Sequence, residues 1–308
     1  MSVAMLFPGQ GAQQPGMLAR VPDTPAAQAA LNEALQICDE LHGGGTLDNP
    51  GRDTVATQLS LLAVGVACAR AVLDDEALPV TFVAGHSVGA FAAAVTAGVL
   101  SLRDALATVH LRADSMRAAC SGRDWGMAAI TGATTSAVRE LVAGVSTADQ
   151  PVWVANVNSA TQTVVGGTAA ALDAAERRAR LLGARGFERL DVEIASHGAV
   201  QAPTEHALRA HLARLTTRAP ALTYVTNSGG RAVRSAEAVV EDLAQSVTRT
   251  VRWYDGVRLL GELGVSCALE ASPGHTLSRL MTSAVPAMTA IALDDDGLPA
   301  AVRQARRS

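Results

Sequence analysis

The 308-residue chain contains no lysine: all 25 of its basic side chains are arginine, set against 29 acidic ones, for a formal net charge of -4. This absence excludes a Walker A lysine, a Schiff-base or pyridoxal lysine and a Ser-Lys hydrolase. The mildly acidic balance argues against nucleic acid or an anionic membrane as the main partner. Cysteine is scarce and dispersed. Cys38, Cys68, Cys120 and Cys267 form no CxxC and no metal-ligand spacing, which fits a reduced, cytoplasmic protein with no bound metal. No basic segment precedes the apolar start, so no signal peptide is expected. The longest apolar stretch, residues 61–69, is far short of the roughly 20 residues a bilayer requires, so no membrane span is expected. Internal repeats and low-complexity linkers are also missing.

What is present is core-forming material, 49% hydrophobic and 18% charged, enough for one large or two smaller domains. Residues 3–7 read as a buried strand stopped by Pro8-Gly9, and residues 79–84 as a second. Helices are predicted over 24–41, 55–73 and 102–119, with an alanine-rich one from Gly89 to about Ala97. From Gly126 the texture changes to strand 127–130, helix 135–142, strands 152–157 and 163–165, helix 169–182 and strand 187–194. That β-α-β-β-α-β order is the split βαβ pattern of a ferredoxin-like unit. Beyond His197, helices and strands alternate again, implying a mostly parallel sheet. The fold class expected is therefore α/β. A large α/β-hydrolase-like domain (residues 1–125 and 196–308) is interrupted by an inserted ferredoxin-like domain (126–195).

Gly85-His86-Ser87-Val88-Gly89 lies between a predicted strand and a predicted helix, the setting of a nucleophile elbow. Flanking glycines admit neighbouring backbone, and the helix N-terminus favours a developing oxyanion. A hydroxyl needs a base. Of seven histidines, His86 reads as packing beside the elbow, His110 as an ordinary helix residue, and His206 and His211 as a solvated helix face. His197 follows a strand at the junction between the two domains, where sites assemble. His42-Gly43-Gly44-Gly45 looks like a lipase oxyanion motif but follows a helix, so its glycines read better as a helix stop.

Phe7-Pro8-Gly9-Gln10-Gly11-Ala12-Gln13 together with Gly85–Gly89 resembles the malonyl-CoA:acyl-carrier-protein transacylase family. The likeness continues in order through Arg112 to Met116, Gly126 to Ile130, Asn156-Val157-Asn158-Ser159 with Gln162, Ser196-His197, Val251-Arg252-Trp253 and Glu270 to Gly274. It implies Ser87 as nucleophile, His197 as general base and acid, and the backbone N–H groups of Gln10 and Val88 as the oxyanion hole. It also implies that Arg112 holds the malonyl carboxylate, and that a backbone carbonyl at Arg252 orients the imidazole in place of a catalytic acid. Malonyl-CoA would be the substrate and the phosphopantetheine-type thiol of an acyl carrier protein the acceptor, with no permanently bound cofactor. A planar guanidinium suits a carboxylate on physical grounds as well, because it pairs with it bidentately.

Two relatives compete. The run Ser87 to Val95, lacking the Gly-Glu-Tyr that usually follows the serine, and Thr54 to Leu59 look closer to the transacylase (epsilon) subunit of malonate decarboxylase. That reading, with the decarboxylase carrier subunit as partner, is preferred here over a transacylase of fatty-acid or polyketide synthesis. A serine (thio)esterase using Glu270 and His275, and a non-catalytic binding module, are the readings of other classes. Arg177, Arg178, Arg180, Arg185 and Arg189 offer a basic face to an acidic carrier, or simply a solvated helix face.

Overall fold

The computed structural model describes residues 2–42, 47, 53–192 and 194–308. The glycines of the His42–Gly45 motif lie outside the described residues. Among the described residues ten strands form two sheets. The larger holds β1 (Val3–Phe7), β2 (Val80–Gly85), β7 (Thr223–Val225), β8 (Ala232–Val233), β9 (Cys267–Glu270) and β10 (Thr289–Ala292), in the order β10-β9-β1-β2-β7-β8. All neighbours run parallel except β8, which turns back on β7. Every residue of β1 is buried, as a strand covered on both faces must be, and this explains its unbroken apolar run.

Helices α1 (Pro25–His42), α2 (Thr54–Arg70), α3 (Gly89–Thr96) and α4 (Leu102–Ala119) precede the smaller sheet. Asp53 caps α2 by accepting from the backbone N–H groups of Val55 and Ala56. From Val55 to Ala69 no residue of α2 is exposed. Each buried Val or Leu there contributes about 1.5–3 kcal/mol. With the π turn that follows, the segment Thr54–Asp75 is long and apolar enough to cross a bilayer, though it is wrapped by protein. The apolar run 61–69 understates it because Thr57, Gln58 and Ser60 are buried as well.

The smaller sheet is built from β3 (Trp125–Thr131), β4 (Val152–Ser159), β5 (Gln162–Thr168) and β6 (Gly186–Arg189), in the antiparallel order β4-β5-β3-β6. Helices α5 (Thr135–Val145) and α6 (Ala169–Leu181) connect it and bury Val138, Leu141, Leu172 and Ala175 against it. The expected final strand, 187–194, stops at Arg189. Leu190 N still donates to Met127 O at 2.9 Å, and Ala195 lies beside the end of α4, where Gln201 Nε2 donates to Ala195 O at 2.9 Å and to Met116 O at 3.4 Å.

Helices α7 (Ala202–Leu212), α8 (Ala236–Gln245), α9 (Trp253–Glu262) and α10 (Thr276–Ala284) complete the part of the molecule used below. A seam joins the two sheets. Val157 N donates to Val251 O at 2.8 Å, Val251 N to Ala155 O at 2.9 Å, and Trp153 Nε1 to Ser196 O at 3.0 Å. Gly198 lies flat on the Trp153 indole, where a Cβ would come within 2.0 Å of the ring.

Candidate active site

β1 and β2 are neighbours, with Phe7 opposite Gly85, and Ala84 faces Val225 of β7. The loops that follow these strands therefore leave the same carboxyl edge side by side, where open α/β sheets place their ligands. They are pressed together: a Cβ on Gly9 would meet His86 O at 2.4 Å, and one on Gly89 would meet Phe7 O at 2.2 Å. Glycine at both positions lets the Pro8–Gln10 loop reach the start of α3.

Ser87 sits at the turn with φ of 53°, in the left-handed region that a non-glycine residue adopts at a cost. Its N–H donates to Asn227 Oδ1 at 2.8 Å. Its Oγ lies 2.9 Å from His197 Nε2, although 110 residues separate the two in the chain. His197 has φ of 58° and is 3% exposed. Its Nδ1 faces Ser246 O at 2.6 Å. A carbonyl can only accept, so the proton is on Nδ1 and the Nε2 lone pair is turned to the serine hydroxyl.

The resemblance put the orienting carbonyl at Arg252, and the structure puts it at Ser246. The Arg252 carbonyl instead accepts from Gly256 N at 3.1 Å in the first turn of α9, and its guanidinium pairs with Asp255 at 2.6 Å. The motif lies six residues past the bond because the chain between them, 247–251, also has to reach the seam.

Arg112 projects from α4 and is 2% exposed. One of its nitrogens donates to Ser87 Oγ at 3.0 Å and another to Gln58 Oε1 on α2. Its Nε is buried without a hydrogen-bond partner among the described residues. No described carboxylate pairs with it, and burial pulls its pKa down to about 10, which leaves it a cation at neutral pH. Gln58 Nε2 reaches on to Gln10 Oε1 at 3.4 Å. Among the described residues, neither the Gln10 nor the Val88 backbone N–H has an acceptor. The first leaves the loop after β1, and the second the N-terminus of α3 beside Ser87.

Burial holds the His197 pKa far below the usual histidine value of 6.5, at about 3, and the Arg112 charge adds to the depression, while its bond to the Ser246 carbonyl works against it. The imidazole is thus neutral across the physiological range, as a general base must be. The sign follows directly. The acid limb of kcat/KM should lie well below pH 6.5, and Arg112→Gln, which removes a repelling charge, should move that limb to higher pH. A pH–rate profile of the two proteins measures it. An unmoved limb would refute the coupling.

The other sequence candidates are placed elsewhere. Glu270 accepts from Leu277 N and Ser278 N at 3.0 and 2.7 Å and so caps α10, while His275 pairs with Asp295 at 2.9 Å. Neither bonds to Ser87 or His197, so the esterase triad drawn from them does not form. His86 is more than packing: its Nε2 meets Asn158 Oδ1 at 3.0 Å, and its ring lies edge-on to Trp253. Among the described residues no group of three His, Cys, Asp or Glu side chains could hold a metal. Sequence reasoning missed Gln58 and Asn227. Asn227 has a readable signal, an Asn-Ser pair just beyond a predicted strand. Gln58 has none, being a polar residue inside an apolar helix.

A hydroxyl on a strained turn, a neutral imidazole 2.9 Å from it and two N–H groups without acceptors among the described residues are an arrangement that can carry out acyl transfer. Residues 4–293 match the acyl transferase domain family. The chain belongs to that family. Among curated acyl transferases it is 31% identical over 306 residues to the malonyl CoA-acyl carrier protein transacylase of Salmonella typhimurium, covering 98% of each chain. Among solved structures it matches the acyl-carrier-protein S-malonyltransferase of Burkholderia pseudomallei with a TM-score of 0.90 and 31% identity, over 100% of both chains. It also matches a malonyl-transacylase solved in complex with its type II PKS acyl-carrier protein, with a TM-score of 0.90 and 28% identity, again over 100% of both chains.

Proposed function

We propose that this acyl transferase moves a malonyl group from malonyl-CoA to the phosphopantetheine-type thiol of an acyl carrier protein, in fatty-acid or polyketide synthesis. The observation that carries the reading is the buried, carboxylate-free guanidinium of Arg112 at 3.0 Å from the Ser87 hydroxyl. A malonyl thioester carries its free carboxylate one methylene away from the carbonyl that Ser87 attacks. The carboxylate would take up the Arg112 charge, which an uncharged acyl chain would leave unpaired.

In the first half-reaction Ser87 Oγ bonds to the thioester carbon as its proton passes to His197 Nε2. The oxyanion settles on the Gln10 and Val88 N–H groups, the C–S bond breaks, and the CoA thiolate takes the proton back from the imidazolium. In the second, the carrier thiol gives its proton to His197 and attacks the malonyl-serine ester. The C–Oγ bond breaks and Ser87 recovers the proton. The four thiols are free and buried and take no part.

The malonate decarboxylase reading gives way to this one. Relatives aligned over almost the whole chain are malonyl CoA-acyl carrier protein transacylases. The residues that suggested the decarboxylase have other reasons to be as they are. Ala90 to Val95 form the buried body of α3, and Gln58 closes α2 onto Arg112.

The test is incubation of the purified protein with malonyl-CoA and a holo carrier protein. Malonyl-carrier formation should outpace hydrolysis by at least about 10-fold, since a site that admitted water would act as a thioesterase. CoA release without carrier loading would refute the proposal.

A further inference from the structure

We propose that Asp242, a buried carboxylate with no contact to substrate, is a positioning residue that sets the nucleophile and the base together. The proposal rests on Ser87 and His197 carrying acyl transfer. Asp242 is on α8 and is 1% exposed. Its two oxygens accept four hydrogen bonds: Oδ2 from Asn227 N at 2.8 Å and Tyr224 Oη at 3.0 Å, Oδ1 from Ser228 N at 2.9 Å and Ser228 Oγ at 2.7 Å. A carboxylate so occupied fixes the loop after β7 in one conformation.

Two paths lead from it to the reacting groups. The first passes through Asn227, whose backbone is held by Asp242 and whose Oδ1 accepts from Ser87 N at 2.8 Å. This bond pins the strained turn that carries the nucleophile. The second passes through α8 itself. Ser246 N donates to Asp242 O at 2.9 Å as the helix ends, and Ser246 O receives the His197 Nδ1 proton at 2.6 Å. The Asp242 side chain therefore ties the loop that steadies Ser87 to α8, and the main-chain carbonyl of the same residue holds the helix end whose Ser246 carbonyl selects the His197 tautomer. Among the described residues no acid bonds to His197, and Asp242 does from a distance part of what such an acid does: by holding α8 to the loop after β7 it sets where the Ser246 carbonyl stands.

Asp242→Asn keeps the shape and removes acceptors, because its NH₂ would face N–H donors. In the full chain it should broaden or split the ¹⁵N signals of the His197 ring, which in the parent report one Nδ1–H tautomer. It should also slow acylation of Ser87 by malonyl-CoA, followed by rapid quench and intact mass, by about 30-fold, the scale expected when a reacting group is misplaced by under an ångström. KM for malonyl-CoA should stay within about twofold, since Arg112 is untouched. Tyr224→Phe removes one donor from the same carboxylate and leaves the Asn227 N and Ser246 N bonds in place, so it should lower Tm while keeping tautomer and rate. A single tautomer and an unchanged acylation rate in Asp242→Asn, with only Tm reduced, would overturn the proposal. Should Asp242→Asn fail to fold, Asp242→Glu decides in its place, since it keeps the charge but moves both oxygens off the Asn227 and Ser228 donors: slower acylation with broadened ring signals supports the role, and unchanged acylation with a single tautomer overturns it. The tautomer is read without substrate, so failure of the malonyl assignment would show as a parent protein that forms no adduct, with the ring signals unaffected.

Discussion

Ser87→Ala should form no acyl-enzyme and lose transfer activity by about 10⁴-fold or more, the scale seen when a nucleophile acting in concert with its base is removed. Intact mass spectrometry after mixing with malonyl-CoA reads the first part, and carrier loading reads the second. The argument is geometric. Ser87 Oγ contacts both the His197 imidazole at 2.9 Å and the Arg112 cation at 3.0 Å. Alanine retains the turn, the Asn227 bond to the backbone and the two N–H groups, so the protein should still fold and bind malonyl-CoA. A malonyl adduct persisting in this variant would move the nucleophile elsewhere.

Arg112→Ala should lower kcat/KM for malonyl-CoA by about 10³-fold, because breaking a buried ion pair costs roughly 3–5 kcal/mol. With acetyl-CoA, which carries no carboxylate, the same change should cost nothing or raise the rate. In the parent an acetyl group would leave the cation unsatisfied beside Ser87. Steady-state kinetics with the two donors checks this, and an equal loss with both would show that Arg112 serves the serine rather than the cargo. Gln58, which accepts from Arg112 on its far side, sets the guanidinium plane and should not itself discriminate between donors.

Much of this site was legible in the residues, for a physical reason. A nucleophile elbow needs glycines at fixed offsets, so Gly85-x-Ser87-x-Gly89 announced the turn, and a change of texture near Gly126 announced the second sheet. His197 was legible because it stands where the chain returns. Bonds made through backbone left no such trace. Any residue can offer a carbonyl, so nothing in the letters distinguished Ser246 from Arg252, and the motif around Trp253 drew the assignment six residues too far. Asp242 was hidden for the opposite reason: an acid in an amphipathic helix reads as solvated, and only the folded loop after β7 reveals the donors that enclose it. The short β6 was misjudged because the apolar residues Ile194 and Ala195 are buried against α4 rather than paired in a sheet.

The seam through Trp153, Ser196, Gly198 and Val251 has a bearing on anyone building hybrids of these enzymes. His197 is bolted to the smaller sheet through its neighbours on both sides, so that sheet is no free accessory to be exchanged at residues 126 and 195. A graft cut at residues 126 and 195 would separate the indole from the glycine it packs on, and would leave the main chain on both sides of His197 without the ring that sets its course. A graft that carries 196–198 and 250–251 along with the smaller sheet keeps that seam whole.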